Sequence, residues 1–535
     1  MRIDKVYIED YKNLKQFSID LDEKEMKTVL LGQNATGKSN FIEALILIFK
    51  YLDLSTENKR VLPEFDYNII YSIGDNKIDV AISENKKTKK REYNIIVNGE
   101  PIKTFKSFFS EANKTQYQPK YVFTYYSGLS NKLKEHFWQH QHNFYKRITS
   151  DDFQETELDS LRKLFYVQLV HSYFVLLAYF THEDEEKESI QFLNEVLNIK
   201  DIESILFVLK MPGWAKSKIK DNPDDIFWTA KGLVRPFLDK LWKLSLAPIY
   251  FHKDVQVDFD EYDSQDQLYL YLKGKDKLKE LANTYTSNTA LFKALESTYI
   301  SKLISEVRIK VKKTNVDGSI TFKELSEGEQ QLLTVLGLLK FTKEEDSLIL
   351  LDEPDTHLNP IWKWRYLEFL DKVVQRPAST QIILNTHDPL VIGGLKKEEV
   401  RIFRTTKEGK IKVEQPEIDP KARSVSGILT SELFGLPSIM SKEVEDNLNR
   451  KRYLQTILNS DKIKPDEIEE YNLLVDQLEN VGFYDVTLDS RYNQYLELTS
   501  RHEIFQKSIL TKEEEEELQR ISKEVADEIM REKGE

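Results

Sequence analysis

Gly32-Gln33-Asn34-Ala35-Thr36-Gly37-Lys38-Ser39 is the stretch on which the reading of this chain turns. It lies between the apolar run Thr28 to Leu31 and a helical pattern from Asn40 to Lys50, so the order strand, glycine-rich turn, helix is predicted. Gly32 and Gly37 let the chain curl until backbone N–H groups face a phosphate chain at the positive end of the new helix. Gln33, Asn34, Ala35, Thr36 and Asn40 complete that cradle. Lys38 then reaches the β and γ phosphates of a nucleotide, and Ser39 holds Mg2+ through its hydroxyl.

Three later segments extend the device. Leu348 to Leu351 is a continuous apolar run of the kind buried on both faces of a parallel sheet, and Asp352 and Glu353 follow at its carboxyl end. Asp352 is expected in the Mg2+ shell and Glu353 as general base on the attacking water. Leu325-Ser326-Glu327-Gly328-Glu329 has capping-box spacing between Ser326 and Glu329 and opens a helix with apolar positions at Leu332, Leu333, Leu336 and Leu339. Read alone, it is a well-capped helix. One helix amino end already covers the phosphates, so this second one is expected to approach the γ phosphate from a second copy of the chain, through Ser326 and the Gly328 backbone. Finally, the strand Gln381 to Asn385 leads into Thr386-His387-Asp388-Pro389, which puts His387 at the sheet edge as a γ-phosphate sensor.

These segments, in this order, resemble the ABC-type ATPases of the SMC and RecF group, which pair two heads around two ATP molecules. The start of the chain is similar too: Arg2 to Ile8 looks like that group's first strand, and Lys12 and Asn13 fall in its nucleotide-flanking turn. Asp352-Glu353-Pro354-Asp355-Thr356-His357-Leu358-Asn359-Pro360 looks closer to ATPases of bacterial restriction and Septu-type anti-phage systems, which adds Asp355 to the implied nucleotide contacts. That resemblance implies an α/β fold: an ABC-type P-loop ATPase head, a mixed sheet flanked by helices, with a compact helical insertion and a helical C-terminal region. It also implies ATP and Mg2+, a head-to-tail dimer or higher oligomer, and an HNH nuclease partner. The alternative is a RecF- or SMC-like repair ATPase that binds DNA directly. Two departures stand out. Ala35 occupies a position usually held by glycine, and the glutamine that usually ends the strand before the insertion is missing. Lys120 to Tyr126 look like that strand, which leaves Ser127, Tyr126, Gln116 and Gln118 as open alternatives.

With 535 residues, 40% of them hydrophobic, the chain can build sizeable cores. It has no cysteine, no amino-terminal signal pattern and no apolar run of membrane-spanning length, so a cytoplasmic location without a membrane is expected. The net charge of −13 is uneven: residues 431–535 hold about 14 basic and 25 acidic side chains, which leaves the rest near −2. That acidic tail repels DNA and suits a partner with a basic face.

The expected organisation is 1–127 for the first half of the head, 128–247 for the helical insertion, 248–428 for the second half and 429–535 for the tail. Within the first half, Lys77 to Ser83 and Glu92 to Asn98 form a hairpin whose turn carries Lys86, Lys87, Lys89, Lys90 and Arg91. Such a cluster can touch a nucleic-acid backbone, or be a solvated turn. Gln139-His140-Gln141-His142 suggests metal but lacks a third ligand of fitting spacing. Neither an HNH-like set nor a TOPRIM-like Asp-x-Asp arrangement is evident.

Overall fold

The computed structural model describes residues 1–84, 89–128, 130, 132–150, 152–153, 162–181, 187–215, 224–256, 258–285, 287–314, 319–341, 346–374, 378–458, 464–481, 495, 499, 502–506 and 517–525. The chain divides into two units, Met1–Gly435 and Leu436–Glu535. This division falls later than the expected 429, because Ile428 and Leu433 are still buried in the first unit's core.

The first unit is organised by a seven-stranded sheet in the order Ile411–Glu414, Val400–Thr405, Lys27–Gly32, Thr380–Asn385, Ser347–Asp352, Tyr121–Tyr126, Leu164–Tyr166. All pairings are parallel except the one at the Ile411 edge. Every residue of Ser347–Asp352 and Thr380–Asn385 is buried, as continuous apolar runs in a covered parallel sheet require. Successive side chains alternate between faces. Leu348 and Leu350 enter one core with Phe41, Leu45 and Ile48 of the helix Lys38–Leu54, while Ile349 and Leu351 enter another with Phe174, Leu332 and Leu336. Because the parallel strands share direction, Gly32, Asp352 and Asn385 all arrive at the same sheet edge.

A six-stranded antiparallel sheet, in the order Leu14–Asp20, Arg2–Tyr11, Tyr67–Ile73, Asn76–Glu84, Arg91–Val97, Glu100–Pro101, contributes to the core around the Lys38 helix. Its hairpin agrees with the sequence reading. Of the basic turn, Lys86 and Lys87 lie outside the described residues, while Lys89 pairs with Glu84, and Arg91 with Asp66.

The expected helical insertion needs correction. Helices Trp138–Ile148, Val170–Tyr179, Lys187–Val196 and Val234–Leu244 are present, but Leu164–Tyr166 extends the main sheet and Ile199–Lys210 is a twelve-residue strand. That strand is central in a third sheet, in the order Ile249–Gln256, Tyr262–Lys273, Ile199–Lys210, Ile304–Lys313, Ser319–Thr321. Two helices follow, Gly274–Ala282 and Asn288–Ile300, with the Ser287 side chain capping the second. In the second unit, helices Lys442–Leu458 and Pro465–Asn480 pack through Leu454, Tyr471 and Leu474, and Arg450 forks onto Glu470 at 2.8 and 2.6 Å.

The helix Glu327–Phe341 leans closely on the helix Val170–Tyr179. Tyr179 donates to the Gly337 carbonyl at 3.1 Å, and a Cβ at Gly337 would lie 2.3 Å from Val175 Cγ1. Gly337→Ala should therefore destabilise the first unit by about 1 kcal/mol net, since overpacking of about 1–3 kcal/mol exceeds the helix gain of about 1. Urea unfolding is the measurement, and adding Val175→Ala should return most of the loss.

Candidate nucleotide and magnesium site

Among the described residues, the loop from Gly32 is held by its own backbone and by Asn13. Thr36 Oγ1 donates to the Gln33 carbonyl at 2.7 Å, Asn13 donates to the Ala35 carbonyl at 2.8 Å, and Asn40 donates to Asn13 at 2.8 Å. Gly37, with φ 93°, begins the Lys38–Leu54 helix where an added Cβ would strike Leu14 and Asn13. Asn13 thus braces the loop from the side. Lys12 instead reaches Glu43 at 2.5 Å. Against the effect of its burial, hydrogen bonds from His136 and Lys12 hold the Glu43 carboxyl down at about 2. Ala35 adopts φ 65°, the left-handed conformation that explains why glycine is usual there; ordinary dihedrals at this position are ruled out.

Lys38 folds back onto the loop and donates to the carbonyls of Gly32 at 2.7 Å and Gln33 at 3.0 Å. Burial pulls its ammonium down to about 8, against the nearby charges of Asp352 and Glu353. An anion in the loop would supply the missing counter-charge.

Asp352 is 1% exposed at the end of its strand. Its Oδ1 accepts from Ser39 Oγ at 3.1 Å and from the Asn385 amide, while Oδ2 is buried with no hydrogen-bond partner. Burial raises its pKa. A bare, buried carboxylate oxygen beside a serine hydroxyl is a hard oxygen pair of the kind Mg2+ takes, with water and phosphate oxygens as the other ligands. The residues present fit that ion. By contrast, no group of three or more His, Asp or Glu residues among the described residues could hold a metal by itself, and His140 is buried against Asp53 at 2.9 Å.

Glu353 has φ 52°, a conformation costly for a side-chain-bearing residue, and its N–H donates to the Asn385 carbonyl at 2.9 Å. That turn carries its half-exposed carboxylate to 3.7 Å from His387 Nε2. Burial, then the charge of Lys38, pushes His387 down to about 4, so the ring is neutral near pH 7. The chemistry available at this edge is therefore a phosphate cradle, a cation position, a half-exposed carboxylate and a neutral imidazole.

Ser326 and Glu329 form the reciprocal cap: the Ser326 N–H donates to Glu329 at 2.9 Å and the Glu329 N–H donates to Ser326 Oγ at 3.2 Å. Glu329 also pairs with Lys313 at 2.6 Å. Gly328 abuts the loop after Glu353, where a Cβ would stand 2.5 Å from the His357 carbonyl oxygen. The contacts described for Ser326, Gly328 and Glu329 are with one another, Lys313 and His357.

Asp355 is 4% exposed and accepts from Thr386 Oγ1 at 2.9 Å, so it props the loop before His387. For the strand-ending residue, Gln118 is buried under the Lys38 helix, donating to the Leu52 carbonyl, and Gln116 precedes the strand at its opposite end. Tyr126 pairs in register with Asp352, and Ser127 donates its N–H to the Asp352 carbonyl at 3.3 Å and shares a hydrogen bond with Thr356 at 3.0 Å. The sequence reading passed over Asn385 and Thr386 as ligand supports; both are polar residues ending an otherwise apolar strand, which was the available signal.

Burial raises Asp355 to about 6. The folded state thus binds this proton more tightly than the unfolded chain, so stability falls as pH rises from about 4 to 6, by about 2–3 kcal/mol in all. Asp355→Asn should flatten that window and gain stability at pH 7 relative to the parent, read by urea unfolding across pH 4 to 8.

The comparisons with known proteins agree with this geometry. Septu protein PtuA of Bacillus mycoides is 24% identical over 220 residues, covering 38% of this chain and 30% of PtuA. The replication and repair protein RecF of Halothermothrix orenii is 33% identical over 99 residues, 18% of this chain and 26% of RecF. The match therefore spans less than a third of either of those relatives. The retron Ec83 probable ATPase of Escherichia coli is 21% identical over 437 residues, 76% of this chain and 72% of that protein. The family described as AAA ATPase domain matches residues 1–392, nearly three quarters of the sequence. The chain belongs to that AAA ATPase domain family, as a P-loop ATPase head of the SMC and RecF kind related to PtuA.

Proposed function

We propose that this protein binds and hydrolyses ATP between paired copies of itself and that, as part of a bacterial anti-phage system, its nucleotide state controls a partner HNH nuclease. The bare Asp352 Oδ2 beside Ser39, with Glu353 and His387 at the same sheet edge, carries the hydrolysis part. Lys38 leaves its loop carbonyls for the β and γ phosphates. Ser39 and Asp352 hold Mg2+, which when bound offsets charge on the phosphate oxygens. Glu353 takes the proton of the water that attacks the γ phosphorus, and ADP departs. His387, neutral, donates to the γ oxygens from the far side. Ser326 and the Gly328 backbone serve the nucleotide of the second copy.

The defence role draws on the likeness to the Septu protein PtuA, with cleavage assigned to the partner, and the acidic tail is its docking region. RecF-like direct DNA binding is the second reading, favoured by the RecF match. It calls for salt-sensitive duplex binding by the lone protein. No helix among the described residues is long and apolar enough to cross a membrane.

Glu353→Gln should lower phosphate release by about 100-fold or more and trap an ATP-dependent dimer visible by light scattering. Hydrolysis at the parent rate would remove Glu353 from the general-base role.

A further inference from the structure

A cavity of about 730 Å3 opens on the far side of the insertion, between the helices Trp138–Ile148 and Asn288–Ile300. Its lining includes Trp138, 58% exposed, and the charged residues Lys134, Lys302 and Glu135. Tyr145, Trp214 and Tyr299 line its walls. On its floor Arg162, 6% exposed, pairs with buried Glu296 and lies 4.1 Å over the Phe165 ring, yet its Nε has no hydrogen-bond partner. Beside them His171 accepts from the Gln168 N–H at 2.8 Å. Aromatic faces, lysines in the lining and a buried guanidinium with an unused donor suit a planar ring carrying negative charge. The volume is in the range of small-molecule sites.

The walls are tied to both halves of the ATP site. His136 and His140, on the segment that includes Trp138, reach Glu43 and Asp53 of the Lys38 helix, each at 2.9 Å. The opposite wall leads through the helix Val170–Tyr179 to Gly337 of the Ser326 helix, and Tyr173 packs on Phe322 with centroids 4.5 Å apart. A ligand spanning the cavity therefore touches the supports of the phosphate loop and of the Glu327–Phe341 helix together.

We propose that this cavity is an effector site for a nucleobase with attached phosphate, distinct from the ATP site, and that its occupation changes ATP turnover; the second clause rests on the ATPase reading above. The ligand's source is either a free mononucleotide or the end of a single strand, which present the same chemistry.

The test uses the full chain with Lys38→Ala to silence the principal site, titrated by calorimetry with AMP, GMP, UMP and, separately, a ten-residue thymidine oligonucleotide. Binding that Trp138→Ala and Tyr145→Ala each weaken about tenfold or more is expected, with mononucleotides identifying a free ligand and oligonucleotide alone a strand end. Trp138 is exposed, so its loss leaves folding intact. In the protein with Lys38 intact, the same probe should change phosphate release at least twofold, and Trp138→Ala should abolish that change. No binding up to millimolar probe, or binding indifferent to both substitutions, overturns the site. Trp138-dependent binding without an effect on turnover overturns the coupling. A chain that binds probe but never hydrolyses ATP contradicts the ATPase reading and leaves the pocket standing.

Discussion

Asp352 ties together stretches of chain more than 300 residues apart. Its carboxylate receives Ser39 from the amino-terminal helix and Asn385 from the neighbouring strand, and does so in the dry interior at the carboxyl edge of the sheet. A buried carboxylate with one oxygen unpaired is costly unless a cation or proton meets it. That cost explains the surrounding arrangement. The strands must be parallel to deliver Gly32, Asp352 and Asn385 to one edge, and both faces must be covered to keep that edge dry. Its neighbour Glu353 is forced into a left-handed turn that lifts its carboxylate out of the same interior towards His387.

The insertion meets the halves on either side of it through a few specific contacts. Gly337 permits close approach of the Val170 helix to the Ser326 helix, and His136 and His140 lock the Trp138 helix to the Lys38 helix. The insertion is therefore coupled to the sheet edge by side chains that cannot shift independently, since packed interiors yield in discrete rearrangements. Under the proposals above, that coupling is the route by which an occupied cavity, or a second copy placed against Ser326, would bias the phosphate loop.

Much of the site was legible in sequence because its chemistry demands particular residues at fixed spacing: glycine where φ is positive, lysine and serine at a helix start, and two acids ending an apolar strand. The strand Ile199–Lys210 was hidden for a physical reason. Register shifts near Ile199 and Ile202 place Ile199, Ile202 and Ile205 inward at intervals of three, which imitates a helix. At Ala35 the only hint of a left-handed conformation was that glycine is usual there, since an alanine accepts it only where the fold dictates it. Asp355 is named by its place in a motif, but its burial and its hydrogen bond from Thr386 were not visible in the sequence. Whether a polar residue faces ligand or interior is decided by packing, which spacing alone does not encode.

The account stands on composite sites: Lys38, Asp352 and Glu353 from one copy with Ser326 from another. Lys38→Ala and Ser326→Arg each remove one half, so each alone should be inactive. Mixed in equal amounts and re-equilibrated, random pairing gives heterodimers with one intact site, and phosphate release should return to about a quarter of the parent rate. A mixture as inactive as its separate components would contradict shared sites.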